Sequence, residues 1–181
     1  SVLTDPYPKF VYDGKPFLAA SGNNHSLKHV VGGSYYNHYA ATSLSITNLI
    51  TLHNLMQGTN AVNDRGEVVQ NIPNAIMVGR MLGTTLRQTL SQNFYPTAQT
   101  GTAPFGAGEL EQIVNPYINS ANAWVLLNTR MSGLVFYNRQ MPEINVFFDG
   151  PTRVFSITVW GRYGLMIRDA RCAVGSYFPT S

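Results

Sequence analysis

Between Thr42 and Gln57, apolar side chains recur three or four positions apart. Ile46, Leu49, Ile50, His53 and Met56 define one face of a helix. Thr42 or Ser43 supplies its cap and Gly58 sits where such a helix ends. A second helix is predicted from near Asn71, with Pro73 in its first turn and a stripe of Met77, Met81, Leu82, Leu86 and Leu90. Gly79 and Gly83 within it form a small pair that lets another backbone come close. A third is predicted from about Glu109 to Met131, on the spacing of Leu110, Ile113, Val114, Tyr117, Ile118, Ala121, Trp124 and Val125, kinked or restarted at Pro116.

Past Met131 the period falls to two. LVFYN, INVFFD, RVFSITVW and LMIRDARCAV are β-rich runs, the last three separated by DGPT and GRYG, which reads as a meander. Alternation puts Arg153, Phe155, Ile157 and Val159 on one face of a strand, and Val154, Ser156, Thr158 and Trp160 on the other. At the other end, DPYP stays extended, and KFVYDGKPFLAAS reads as a hairpin turning at Asp13-Gly14. FYPTAQTGTAPFGAG, residues 94–108, is a loop. The predicted fold is α+β. About three helices in the middle of the chain pack on a C-terminal antiparallel meander joined by an N-terminal hairpin, in one domain spanning residues 1–181.

Composition changes the picture in one respect. Charged residues are 12% of the chain, against about 25% in ordinary soluble domains. Asn, Ser, Thr, Gln and Tyr then carry much of the polarity. A lysine-poor, amide-rich chain suits an exported protein, an envelope component or a subunit inside an assembly. The localisation predicted on that basis is extracytoplasmic. Ser1 is not an initiator, so a signal peptide or anchor ahead of it is compatible with the sequence. No stretch reaches the ~20 apolar residues of a membrane span. The net charge of +3 is concentrated at the end, where Arg153, Arg162, Arg168 and Arg171 face only Asp169 after residue 150. That charge is low for a nucleic-acid binder.

Candidate chemistry gathers in two places. NNHSLKHVVGGSYYNHY, residues 23–39, holds His25, His29 and His38. His25 and His29 are four apart, a metal-binding spacing on a helix, but the glutamate of HExxH is absent and Lys28 lies between them. Further ligands would have to come from His38, Asp13 or Asp149. The double glycine lacks the surroundings of a phosphate loop and reads as a turn. The plainer account is a loop leading into the first helix, with no metal and no cofactor. His53, on an apolar stripe, reads as a core histidine.

The second place is the aromatic–arginine end. WGRYG puts Trp160, Arg162 and Tyr163 at a turn, with Arg168 and Arg171 on flanking strands, a set suited to a protein partner or an anionic ligand. The plainer account buries Trp160 and leaves the arginines solvated. Cys172 stands alone, which excludes an internal disulfide, and reads as a small buried hydrophobe unless Arg168 and Arg171 favour its thiolate.

No complete catalytic constellation exists, so the preferred reading is an exported or envelope-associated, non-catalytic binding or assembly protein, a subunit of a larger complex. The alternative is a secreted hydrolase or toxin-like enzyme whose site joins His25, His29 and His38 to Asp149 or to an arginine of the sheet. A viral or phage-like structural subunit fits the same composition and ranks third.

Overall fold

The computed structural model of the chain describes residues 14–19, 21, 23–27, 29–39, 42–91, 109–118 and 120–176. DPYP, the Asp13 side of the N-terminal hairpin, Lys28 and the loop at 94–108 lie outside them. The fold is α+β, with two α-helices among the described residues.

Its centre is a five-stranded mixed sheet. The short strands β1 (His25–Ser26) and β2 (Ser34–Tyr35) form a hairpin of their own, and β3 (His38–Tyr39) enters the sheet. Helix α1 (Ile46–Gln57) follows, then strand β4 (Ala75–Gly79), helix α2 (Gly83–Ser91), strand β5 (Glu111–Asn115) and strand β6 (Trp124–Leu127). A ribbon of β7 (Leu134–Asp149) and β8 (Val154–Ile167) comes next, and β9 (Ala173–Ser176) returns to the sheet. The order across the sheet is β3-β9-β6-β4-β5, with β6 antiparallel to both β4 and β9.

Strands β9, β6 and β4 of the sheet are buried on both faces. Trp124, Leu126, Val174, Ile76 and Val78 point toward Leu49, Leu52 and Met56 of α1 and Leu86 of α2. Val125 and Ala173, with Met77 and Leu127 beside them, pack under Phe17, Leu18, Ile118, Ile167, Ala170 and Cys172. Trp124 also donates its indole N–H to the Thr42 carbonyl at 2.8 Å, and the Ser176 hydroxyl donates to the same oxygen at 2.9 Å.

Helix α1 follows its predicted stripe and ends at the predicted Gly58, but neither Thr42 nor Ser43 caps it. Its cap is Ser45, whose hydroxyl accepts the Asn48 N–H, and Gly58 closes it by donating to the Asn54 carbonyl. The predicted second and third helices need correction. Residues 75–79 are a strand, a 3-10 turn covers Arg80–Leu82, and the helix begins only at Gly83. Residues 109–131 contain two strands and, among the described residues, no helix. The reason is shared: a strand buried on both faces is a continuous apolar run, and AIMVG and WVLL mimic a helical stripe when read with their neighbours. Gly79 does permit a close approach, but to the Ile118 and Ser120 carbonyls, each 3.0 Å from where a Cβ would sit.

The predicted C-terminal meander is instead one long hairpin plus a strand that joins the central sheet. The hairpin leaves between β6 and β9, which are sheet neighbours. Its root is fastened. The Gly133 carbonyl accepts from the Arg168 and Asp169 N–H groups at 2.7 and 3.2 Å. Buried Asn128 donates to Asn71, and Asn71 to the Arg171 carbonyl, at 3.0 and 2.9 Å. Asn37, fully buried, ties Phe17, Ala19 and Ala170 together through their backbones. Several of the amides that the composition suggests for the surface therefore work inside.

Two stability outcomes follow. Trp124→Ala should cost about 3–5 kcal/mol in denaturant unfolding, as a large core truncation. At Gly133 an added Cβ would collide with Cys172 Sγ and the Asp169 carbonyl, while at Gly150 it meets nothing within 4 Å. Gly133→Ala should cost about 1–3 kcal/mol and Gly150→Ala about 0.5 or less. Equal costs would mean the root is loose.

Candidate functional site

Within the ribbon, register decides which side chains share a face. Residues Leu134 to Asn138 pair with Ile167 to Tyr163; two irregularities around Gln140 then shift the pairing, so that Glu143 meets Trp160. Pro142, which cannot donate to a ladder, lies within this bulged stretch. Beyond it the pairs Ile144–Val159, Val146–Ile157 and Phe148–Phe155 alternate with Asn145–Thr158, Phe147–Ser156 and Asp149–Val154. One face of the outer ribbon is therefore entirely apolar, and the other is mixed.

Those six apolar side chains are 59% to 69% exposed. Phe148 and Phe155 touch, ring centroids 4.8 Å apart, but nothing in the chain covers them among the described residues. Nearer the root, Phe136 stacks on Tyr163 at 5.7 Å. A contiguous exposed apolar face of this kind marks an interaction surface.

The predicted aromatic–arginine set is split by the fold. Trp160, Arg162 and Tyr163 lie within β8, not at a turn between strands as the sequence suggested. The Arg162 guanidinium sits 5.9 Å from the Trp160 ring centre. With Tyr137, Arg139 and two glycines, Arg162 and Tyr163 line a hollow of about 550 Å³ at the bulge. Arg139 was not among the sequence candidates; its place opposite the GRYG segment is the only signal that could have found it. Arg168 is exposed at the ribbon's root.

Arg171 is not solvated. It holds Asp169 through Nε and Nη2, reaches Asp64 at 3.5 Å, donates to the Val62 carbonyl at 2.5 Å and lies over the Tyr35 ring. Burial works against its charge, but the hydrogen bonds and charge of Asp169, with Tyr35 and Asp64, more than offset this and hold its pKa above the ordinary value. Arg171 is a structural clasp between the ribbon root and the 62–64 loop. Cys172 is the small buried hydrophobe: desolvation, with Asp169 nearby, pushes its thiol up to about 12.

The histidine segment does not assemble a centre. His25 is buried on β1, stacked on Tyr35, with Nε2 3.3 Å from the Phe17 carbonyl. His29 is an exposed turn residue lining a cleft with Asp64, Arg65, Glu67 and Arg171. His38 is buried in β3 opposite Gly175. Asp149 closes the ribbon tip, accepting from the Thr152 hydroxyl. Asp13 lies outside the described residues. Among the described residues no three His, Cys, Asp or Glu side chains are grouped to hold a metal. Gly32 and Gly33 form the β1–β2 turn, with Gly32 at φ 74°. His53 is half-buried on α1, and burial, partly opposed by Glu109, lowers its pKa toward the neutral form.

The outer ribbon thus carries an apolar face that nothing covers among the described residues. A protein-family profile described as phage capsid protein matches residues 11–176, and the chain belongs to that family. Two solved structures are similar. One is from Mycobacterium phage Che8, at 14% identity and TM-score 0.49. The other is a phage-related protein from Bordetella bronchiseptica RB50, at 10% identity and TM-score 0.48. Each alignment covers 77% of this chain and 53% of the other, so this chain spans about half the length of those structures. No curated protein sequence matches. No helix among the described residues is long and apolar enough to cross a membrane.

Arg171→Ala should cost about 3–5 kcal/mol, because it leaves Asp169 partly buried without its cation. Thermal unfolding checks this, and a loss under about 1 kcal/mol would make the clasp dispensable. Cys172 should stay unlabelled by a thiol reagent at pH 8 in the native chain and react once denatured. Rapid native labelling would contradict its burial.

Proposed function

We propose that this chain is a shell subunit that joins neighbouring copies through the outer ribbon. The observation that carries the reading is the apolar face of Ile144, Val146, Phe148, Phe155, Ile157 and Val159. Fully burying a side chain of this size is worth about 1.5–3 kcal/mol, and little of that gain is collected inside the chain. Family membership makes another copy the natural cover. The low charge density, which alone favours an extracytoplasmic protein, follows equally from a surface that packs against copies of itself. The hydrolase alternative loses its support, since His25, His29, His38 and Asp149 stand in separate surroundings. The hollow beside Arg139 and Arg162 would accept an acidic group of the neighbour, consistent with an anionic contact at the edge of the interface.

The test is Val146→Asp with Ile157→Asp, an exposed cross-strand pair. Wild-type protein should sediment as oligomers or shells. The double variant should stay monomeric, with unchanged circular dichroism and stability within about 1 kcal/mol, since each change is at an exposed site. Assembly of the variant like wild type would move the interface off the ribbon.

A further inference from the structure

The hollow at the ribbon's bulge differs in charge from the clefts around Arg171. Those two clefts contain acids as well as bases, Asp64 and Asp169 in one, Asp64 and Glu67 in the other. The hollow, of about 550 Å³, is lined by Tyr137, Arg139, Gly161, Arg162, Tyr163 and Gly164 and contains no acid. Among the described residues neither of its guanidiniums has a carboxylate within ion-pair reach. Glu143, the acid nearest to Arg139 in the sequence, accepts from the Gln140 amide at 3.5 Å instead.

Register explains how two arginines come to share it. Asn138 pairs with Tyr163 and Gln140 with Arg162, so β7 advances by two residues while β8 advances by one. Arg139 is the extra residue of that bulge, a position that re-aims a side chain. Partners across an antiparallel pair share a face, which puts Tyr137 with Gly164 and, one alternation along β8, with Arg162. Gly164 leaves open the space that a side chain would take, since a Cβ there would meet nothing within 4 Å. Trp160 steadies Arg162 from 5.9 Å.

We infer that this hollow binds a phosphate group, free or carried as a monoester on a small molecule. Two cations lining one hollow repel each other until an anion joins them. A phosphate carries about −1.5 to −2 charge at pH 7, which matches two guanidiniums, whereas one carboxylate is matched by a single fork. Tyr137 and Tyr163 also line the hollow, and a phenol can donate to the same anion. Its size falls within the roughly 300–1,000 Å³ of small-molecule pockets. The chain's net charge of +3 is low for holding a nucleic-acid strand, which favours the small anion. The site belongs to the single chain and does not rest on the shell-subunit reading; an acidic group of a neighbouring chain would compete for it.

Isothermal titration of the full chain in dilute chloride buffer tests this, with inorganic phosphate as the probe. Acetate serves as the carboxylate and a short oligothymidylate as the phosphodiester. The same titrations on the chain carrying Val146→Asp and Ile157→Asp keep a neighbour from filling the hollow. Phosphate should bind at a single site per chain, more tightly than acetate, and less tightly as chloride is added. Arg139→Gln and Arg162→Gln, both at exposed positions, should each weaken it about tenfold or more, as the loss of a charge-assisted contact. Gly164→Ile keeps both arginines, fills the hollow and should abolish binding, with circular dichroism unchanged in all three variants. No phosphate binding by either chain, or binding by Gly164→Ile equal to wild type, overturns the inference. Acetate binding as tightly as phosphate overturns the phosphate class and leaves a neighbour's acidic group as the occupant. Oligothymidylate binding more tightly than phosphate, and lost in the same variants, overturns the small-molecule source in favour of a strand. None of these readouts is assembly, so each outcome stands apart from the shell-subunit reading.

Discussion

Strand β6 sits between β9 and β4 with both of its faces packed, Trp124 and Leu126 against the helices and Val125 against the layer that includes Phe17 and Ile167. A strand enclosed in this way can be neither shifted by one residue nor left half-formed, since a slip would exchange its two sets of contacts. The helices, and the Thr42 carbonyl that receives both Trp124 and Ser176, take their positions from it. The same constraint explains why the ribbon is outside. β6 and β9 are antiparallel neighbours that a short turn could join, yet residues 128–172 are inserted between them. The core is complete without the outer ribbon.

A ribbon this long keeps one direction relative to the body only if its root is fixed. Three interactions fix this one: the Gly133 carbonyl between two N–H donors, the Asn128–Asn71 pair beneath it, and Arg171 drawing Asp169 and the 62–64 loop together. Under the proposed contact, a root held in the free subunit lowers the conformational entropy lost on docking. The bulges around Gln140 and Pro142 then set the twist, which decides where the outer apolar face points relative to the body.

Much of this was legible in sequence where one face of an element meets solvent. The alternation of Phe155, Ile157 and Val159 against Ser156 and Thr158 separated the ribbon's two faces correctly, and helix α1 could be read from its stripe and terminal glycine. Legibility failed where both faces are buried. AIMVG and WVLL carry no period of their own, so neighbouring residues decided the reading and turned strands into helices. Arg171 was misjudged for another reason. Its burial depends on Val62 and Asp64, which only the fold brings to it. The outer ribbon was seen as strands, but sequence could not say that it would leave the core, because apolar alternation looks the same on a covered sheet and an uncovered one.

Magnitudes bear on how such a subunit behaves before it assembles. Burying the exposed parts of six apolar side chains offers on the order of 10 kcal/mol, against about 4–15 kcal/mol lost when two bodies associate. A single ribbon contact is then marginal, and two copies alone would separate readily. Closure changes the balance. In a ring each copy makes two contacts while losing its freedom once, and in a shell it makes more. Under the proposed contact, assembly through an apolar ribbon of this size is therefore cooperative in concentration. Arg153 and Asp149 at the tip and Glu143 and Arg162 near the bulge discourage irregular stacking of one ribbon on another.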